Sequence, residues 1–178
     1  DDNGNMYFAT TKGLCMLDRD QKISSIDDEN IAGHYIKDVR NGSDGLVYGV
    51  TNTGDIFTVK NGTMHKFYPQ EKLGIRDISV VLPDENNPGY VYIGTLGSSI
   101  YYGRLTNSFE PANIYDISPL SGTNSIKYLG NKIWVCTDYG FCSIDKNGVR
   151  YYDFDLNISI EDIMNDYQGN LWIASSKQ

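Results

Sequence analysis

Three aspartates occur in the same short phrase at three places in the chain: Asp38 in IKDV, Asp77 in IRDI and Asp162 in IEDI. If the fold gathers these carboxylates around one axis, they could hold a cation. Alternatively, each could accept hydrogen bonds from neighbouring backbone and fix the packing of the strands. The repetition favours the second interpretation. It also argues against paired-carboxylate catalysis, which requires two acids in different environments.

The other residues that could do chemistry form no catalytic or metal-binding pattern. The motifs GxGxxG, GxSxG, HExxH and the P-loop are absent from the sequence, and His34 and His65 are its only histidines. No CxxC pair accompanies these histidines, so the sequence predicts no metal site. We therefore expect a protein that is not an enzyme and has no cofactor.

Three cysteines are too few, and odd in number, for a disulfide framework in a chain of this size. Cys136 and Cys142 flank the turn TDYG, so a bridge between them is one alternative. Free thiols at all three positions, including Cys15, are the other alternative and the one we expect.

The net charge of −8 argues against a nucleic-acid partner, because such binding depends on clustered Lys and Arg and the 15 basic residues here are scattered. The longest apolar runs, such as ISVVL and YVYIG, have the length of a strand and none could span a bilayer. We therefore expect contact with a membrane only through a part of the protein outside this chain.

A repeat supplies the elements that position these residues. Its five copies share an aromatic residue, which we call the aromatic column, at intervals of 41, 44, 42 and 38 residues: Tyr7, Tyr48, Tyr92, Trp134 and Trp172. Three residues after each aromatic comes a hydroxyl residue, which we call the hydroxyl column: Thr10, Thr51, Thr95, Thr137 and Ser175. A glycine stands three residues before the aromatic in four of the copies.

Each unit reads as four short strands joined by turns rich in Gly, Asn and Asp. Residues 36–68 show the pattern well, since the turns NGSDG, NTGD and KNG separate four strand-like runs with no amphipathic helix between them. One such sheet cannot bury both faces, and a period near 40–45 residues is typical of a β-propeller. The sequence therefore predicts an all-β fold, a propeller fragment of four-stranded antiparallel blades.

Along the chain, this period predicts three complete blades and two partial ones within a single segment, 1–178. The divisions are a partial blade at 1–35, blades at 36–74, 75–122 and 123–158, and a partial blade at 159–178. We expect the aromatic column to pack between neighbouring blades, and the three aspartates to lie on first strands that line the central channel. The opening and closing copies overlap, so we expect an open arc with uncovered edges, which favours a segment cut from a longer array or pairing as a homodimer.

The phrases IEDIMNDYQGNLWIASSK and IKDV…GLVYGVTNTGDIFTV resemble the two-component regulator propeller repeat. The fifth copy matches the usual form of that repeat through Asp166, Gly169 and Trp172, and departs from it at Ala174 and Ser175. The resemblance implies a bacterial signal-transduction receptor, in which such propellers form the extracytoplasmic sensor and several respond to oligosaccharides.

We therefore expect a non-catalytic sensory segment that binds an oligosaccharide or another small polar ligand. The alternatives are a carbohydrate-active propeller enzyme, either a lyase or a hydrolase, and a protein-interaction scaffold. In a propeller, the turns between second and third strands share one rim with the connections between blades, and here both vary between copies. The candidate ligand residues on that rim are Lys12, His34, Tyr35, Asn52, Asp138 and Tyr139.

Overall fold

The computed structural model describes residues 1–152 and 158–176. In chain order the strands are β1 (Met6–Thr10), β2 (Gly13–Leu17), β3 (Ile23–Ser25), β4 (Ile36–Asn41), β5 (Val47–Thr51), β6 (Ile56–Lys60), β7 (Thr63–Tyr68), β8 (Ile78–Pro83), β9 (Tyr90–Thr95), β10 (Ser99–Leu105), β11 (Phe109–Asp116), β12 (Thr123–Leu129), β13 (Lys132–Thr137), β14 (Gly140–Asp145), β15 (Gly148–Tyr152), β16 (Ile160–Asn165) and β17 (Leu171–Ser175). Helix α1 (Gln70–Leu73) is one turn long and ends at Gly74, whose φ of 69° is left-handed.

The strands form five antiparallel sheets in which neighbours in sequence are neighbours in space. The first sheet is β1–β3, the second β4–β7, the third β8–β11, the fourth β12–β15 and the fifth β16–β17. Three four-stranded sheets thus lie between two partial ones, and this confirms the predicted all-β fold of complete and partial blades. The predicted divisions 123–158 and 159–178 include residues 153–157 and 177–178, which lie outside the described residues.

Turn chemistry accounts for the tight hairpins. Between β6 and β7, Asn61 and Gly62 take φ values of 51° and 78°, and Lys60 pairs directly with Thr63 across the turn. Two successive positive φ angles define the two-residue turn whose twist matches a β-hairpin, and Asn-Gly is the pair that adopts it most readily.

Buried apolar side chains fill the spaces between neighbouring sheets. Val50 of the second sheet belongs to the same buried cluster as Val81 and Ile93 of the third. Equivalent clusters join the first sheet to the second, the third to the fourth and the fourth to the fifth. The inner strands β4, β8, β12 and β16 contact one another in that order, as first strands do around the centre of a propeller.

The opening and closing phrases of the sequence fold into the same turn. In each, the aspartate, Asp1 or Asp166, accepts on Oδ1 the backbone N–H groups two and four residues later. Its Oδ2 accepts the aromatic donor six residues later, at 2.8 Å from Tyr7 Oη and at 3.0 Å from Trp172 Nε1. The repeat is therefore conserved within the chain down to individual hydrogen bonds.

The aromatic column lies on the second strand of every repeat, as predicted, but its burial varies. Tyr48 is 2% exposed and Trp172 is 60% exposed, while Tyr7, Tyr92 and Trp134 are half-buried. The prediction that the column is buried between sheets is therefore wrong for Trp172. The reason is that no sheet within the described residues packs on the outer face of β16–β17.

Candidate functional site

The inner strands enclose a cleft of about 420 Å³ at the centre of the arc, which we call the inner groove. Polar and charged side chains from all four strands line it. The lining residues are Lys37, Asp38, Arg40, Ser79, Leu96, Thr123, Asn124, Ser125, Glu161 and Asp162.

A β-bulge sets the register of each inner strand. The first residue of the strand, which is Ile36, Ile78, Thr123 or Ile160, pairs with the member of the hydroxyl column that ends the second strand. Pairing then skips one residue, which is bulged out, before the ladder resumes. The bulge occurs at the same place in the second, third, fourth and fifth sheets.

This register shows that the three aspartates predicted to be equivalent, Asp38, Asp77 and Asp162, do not all occupy the same position. Val80 and Ser125 occupy the positions equivalent to Asp38 and Asp162, since each follows the bulged residue of its strand. Asp77 instead precedes β8 and takes a left-handed φ of 56°. The prediction that Asp77 lies on a first strand was therefore wrong, because the phrase ISVV that follows it, rather than IRDI, forms the inner strand.

Asp38 and Asp162 are equivalent in position but differ electrostatically. Arg40 Nε donates to Asp38 Oδ2 at 2.7 Å within one strand. At Asp162, Lys127 Nζ donates to Oδ2 at 2.6 Å and Ser125 Oγ donates to Oδ1 at 2.9 Å, both from the neighbouring sheet. Both carboxylates are thus balanced by a cation of the chain itself.

Burial decides the pKa of one carboxyl and hydrogen bonds decide that of the other. Burial raises the pKa of Asp38, and the nearby Arg40 opposes this only in part. Burial alone would also raise the pKa of Asp162. There, the hydrogen bonds from Lys127, from the following backbone N–H and from Ser125 outweigh burial and lower the pKa.

The bulged residues join the sheets through what we call the inter-sheet ladder. Three of the four, all except Glu161, donate a side-chain hydrogen bond to the carbonyl oxygen of the residue that begins the inner strand of the next sheet. The bonds are Lys37 Nζ to Ile78 O (3.1 Å), Ser79 Oγ to Thr123 O (2.7 Å) and Asn124 Nδ2 to Ile160 O (3.2 Å). Burial also lowers the pKa of Lys37, against the opposing charge of Asp77.

The polar groups of the inner groove therefore hold the sheets together. Within residues 1–152 and 158–176, no group of three or more His, Cys, Asp or Glu side chains is placed to hold a metal ion. The ion pairs to Arg40 and Lys127 supply the positive charge that a bound cation would otherwise provide.

The six predicted ligand residues fall into two groups on the predicted rim. Backbone bonds from Gly33 N to Lys12 O (3.1 Å) and from Asn52 N to Tyr35 O (2.8 Å) bring the first group together, with His34 between them. The second group, Asp138 and Tyr139, lies in the β13–β14 turn of the fourth sheet. None of the six lines the inner groove.

The hydroxyl column explains why the turns of this rim resemble one another. Thr10 Oγ1 accepts the N–H of Lys12 at 3.2 Å, and Thr137 Oγ1 accepts the N–H of Tyr139 at 3.2 Å. The same hydroxyls donate to the carbonyl oxygen three residues further on, at 2.6 Å and 2.9 Å. The threonines thus close the turns and leave the Tyr139 side chain 58% exposed.

All three cysteines are free. Cys136 and Cys142 are buried in the fourth sheet, where they lie opposite Phe141 and Val135 rather than each other. Burial raises the pKa of each of these two thiols to about 12. Both are therefore protonated at neutral pH and are poor nucleophiles.

A second cleft, of about 270 Å³, opens between the third and fourth sheets on the rim opposite the predicted ligand residues, since it lies at the turns that join first to second and third to fourth strands. We call it the tyrosine cleft. Its lining residues are Asp84, Asn86, Asn87, Tyr92, Tyr102, Tyr115, Tyr128, Asn131, Ile133, Ile144, Asp145 and Lys146.

Sequence reasoning missed the tyrosine cleft because its lining comes from six strands of two sheets and their turns. Two signals pointed to it: the segment DENNPG, which departs from the repeat before β9, and the tyrosine pairs YVY and YY that follow it. A departure from a repeated scaffold is where function is usually added.

Among the described residues, the structure contains no helix of the length and apolarity that crossing a bilayer requires. No protein-family model matches the chain, and no curated protein matches it.

Solved structures are similar to this chain over almost its whole length. The extracellular domain of a putative hybrid two-component system from B. thetaiotaomicron superposes with a TM-score of 0.80 at 15% identity, covering 97% of this chain and 25% of that one. The WD40 β-propeller domain of Doa1 gives a TM-score of 0.75 at 14% identity, covering 97% of this chain and 58% of that one. Virginiamycin B lyase from Staphylococcus aureus gives 0.71 at 18% identity, covering 97% and 60%.

This chain therefore spans between a quarter and about three fifths of the length of those proteins. At such low identity the likeness concerns the fold alone. Together with the sheet order and the repeated bulge, it identifies the chain as a segment of a β-propeller.

Proposed function

We propose that this chain is a non-catalytic, ligand-binding segment of the extracytoplasmic sensor of a bacterial receptor. The proposed ligand is an oligosaccharide or another small polar molecule. The repeat that resembles the two-component regulator propeller supports this function, as does the similarity to the extracellular domain of a hybrid two-component system.

The proposal that the chain is non-catalytic is supported by the polar side chains of the inner groove, which bond to one another and to the backbone. Its two aspartates, Asp38 and Asp162, are paired with Arg40 and Lys127, and Lys37, Ser79 and Asn124 bond across sheets in the inter-sheet ladder. The buried thiols of Cys136 and Cys142 have pKa values raised to about 12. A propeller whose central side chains hold the blades together suits binding on its rims better than chemistry at its centre.

The experiment is a binding and turnover assay on the 178-residue chain. A panel of oligosaccharides is titrated by calorimetry, and the same mixtures are incubated and separated by chromatography. Binding without new products is the expected result. Cleavage of any sugar would contradict the non-catalytic proposal, and the absence of binding throughout the panel would contradict the ligand-binding one.

We also expect the chain to associate with a second copy and to bind no nucleic acid. The outer face of the fifth sheet exposes Met164 and Trp172, which supports association, and the net charge of −8 opposes binding of nucleic acid. Light scattering in dilute solution tests the first expectation, and a monomer at all concentrations would contradict it.

Fractionation of cells with an antibody tests the extracytoplasmic location.

A further inference from the structure

The tyrosine cleft has a rigid wall built around one carboxylate. Asp84 is only 8% exposed, and its Oδ2 accepts hydrogen bonds from Tyr102 Oη at 2.7 Å and from Asn87 Nδ2 at 2.8 Å. The ring of Tyr102 also packs on that of Tyr92, with centroids 4.5 Å apart. These contacts fix one wall before any ligand arrives, which lowers the entropy lost on binding.

Three further tyrosines of the cleft present hydroxyl groups that donate no hydrogen bond within the fold. Tyr92, Tyr115 and Tyr128 are half-buried, with their rings against the core between the third and fourth sheets. None of these three hydroxyls donates a hydrogen bond to any residue in the described part of the chain, and Tyr128 Oη accepts one, from Asn86 Nδ2 at 3.5 Å. A phenol with a buried ring and an open hydroxyl is well placed to bond a polar ligand.

The charges of the cleft select against anions. Two carboxylates, Asp84 and Asp145, line it together with the ammonium group of Lys146, and Lys132 Nζ lies 3.9 Å from Asp145 Oδ2. Hydrogen bonds from Asn87 and Tyr102 counter the effect of burial and keep the pKa of Asp84 below its ordinary value, so its charge persists at neutral pH. Among the described residues no cation pairs with Asp84, so its charge disfavours a negatively charged group bound next to it.

The free groups also favour a polyol over a cation. A bound ammonium ion needs open aromatic faces, whereas the facing rings of Tyr92 and Tyr102 cover part of each other. Hydroxyls and amide groups, which donate and accept, match the alternating hydroxyls of a sugar ring. The volume of about 270 Å³ lies just below the roughly 300 Å³ at which typical ligand pockets begin, so one ring fits better than a long chain.

We infer that the tyrosine cleft is a binding subsite for one ring of a neutral sugar, contacted by the hydroxyls of Tyr92, Tyr115 and Tyr128. This inference rests on the proposed ligand-binding function and gives it a place. That place is the rim opposite the one predicted from the sequence.

The test is a titration of the isotope-labelled 178-residue chain, followed by NMR, with glucose, galactose, mannose, xylose, maltotriose and cellotriose, and with choline as the charged comparator. At least one neutral sugar should shift the backbone amides of Asn87, Tyr92 and Asp145. The triple variant Tyr92→Phe, Tyr115→Phe, Tyr128→Phe keeps every ring and removes the three hydroxyls. Its affinity should be at least about tenfold weaker, since each neutral hydrogen bond to ligand contributes a factor of roughly three to ten.

The matched control is Tyr167→Phe, which removes the hydroxyl of a side chain that is 96% exposed in the fifth sheet and should leave affinity unchanged. Tyr139→Phe, on the rim predicted from the sequence, tests the competing location of the site. If the triple variant does not fold, Tyr115→Phe alone should weaken binding about threefold, because its ring lies on the outer strand β11 where the loss of a hydroxyl is easily tolerated.

Three outcomes would overturn the inference. These are the absence of sugar-induced shifts at the cleft, shifts caused by choline but by no sugar, and weaker binding in Tyr139→Phe with none in the triple variant. In the last case the proposed function would stand and only the site would move. Sugar bound in the cleft and then cleaved would instead leave the site standing and remove the non-catalytic function.

Discussion

Strands β5 and β17 are copies of the same strand with opposite surroundings. Every residue of β5, Val47–Thr51, is buried, and every residue of β17, Leu171–Ser175, is exposed. Both follow a glycine-containing turn, and both pair with an inner strand across the same bulge. The sequence repeat therefore determines that each segment becomes a strand, but it does not determine what the strand buries.

The difference lies in the neighbours. The second sheet is packed on both faces, against the first sheet and against the third, whereas the fifth sheet packs only against the fourth within the described residues. The turn before β17 nonetheless keeps all the hydrogen bonds of its counterpart at the start of the chain, including Trp172 Nε1 to Asp166 Oδ2. Local hydrogen bonds are thus independent of stacking, and burial depends on it.

The largest effect should come from truncating the same column position in the two strands. Tyr48→Ala removes a ring that is 2% exposed and leaves a cavity, so we expect a loss of about 3–5 kcal/mol in the free energy of unfolding. Trp172→Ala removes a ring that is 60% exposed in a single copy and should cost about 0.5 kcal/mol at protein concentrations where the chain is monomeric. Urea unfolding of the two variants measures both values.

Equal losses for these two variants would mean that the outer face of the fifth sheet is covered in solution. Repeating the measurement at several protein concentrations would then distinguish cover by a second copy, because only that case makes the loss depend on concentration.

A smaller effect should follow from cutting the ion pair that attaches the fifth sheet. Lys127→Met removes the partner of Asp162 across the sheet boundary, and because that carboxylate is about half exposed we expect a loss of only about 1 kcal/mol. The loss should be local, with faster hydrogen exchange in β16 and β17 and little change in the second sheet. Lys132→Met, which removes a 3.9 Å pair within the fourth sheet, is the matched control and should leave β16 and β17 unchanged.

Acid should act in opposite directions on the two equivalent aspartates. The pKa of Asp38 is raised in the fold, so its protonation favours the folded state as the pH falls from neutral. The pKa of Asp162 is lowered, so its stabilising effect is present above the unfolded value of about 3.9 and is lost as the pH falls below it. Carboxyl chemical shifts measured by NMR should give a higher midpoint for Asp38 than for Asp162. The reverse order would contradict the assigned causes.

The rate of thiol modification should differ between the cysteine of the first sheet and those of the fourth sheet, and this comparison needs no measurement of stability. Cys136 and Cys142 are buried in the fourth sheet, and burial raises the pKa of both to about 12, whereas Cys15 in the first sheet is partly exposed. Cys15 should therefore react first with a maleimide at neutral pH, and the other two only on unfolding. Mass spectrometry after brief labelling measures the order, which Cys15→Ser should confirm by abolishing the fast phase.

The strands and turns could be predicted from the sequence because each depends on residues close together in the chain. The position of Asp77 outside the inner strand could not be predicted, because IRDI and ISVV both fit the pattern of an inner strand. Only the pairing at the bulge distinguishes them. The tyrosine cleft was missed for a related reason. Its side chains come from two sheets, and a repeat analysis looks for what the copies share, whereas the cleft is built from what one copy does not share.

The inter-sheet ladder has a consequence for how such chains can change over time. Its donors are a lysine, a serine and an asparagine, and its acceptors are backbone carbonyls that every residue possesses. Any side chain that can donate and reach the carbonyl will therefore serve, whatever follows it in the chain. As far as these bonds are concerned, blades can be duplicated, exchanged or recombined without matched changes in the neighbour, although side-chain pairs such as Lys127–Asp162 do require a match. The residue that supplies the accepting carbonyl can therefore change in sequence without loss of the hydrogen bond.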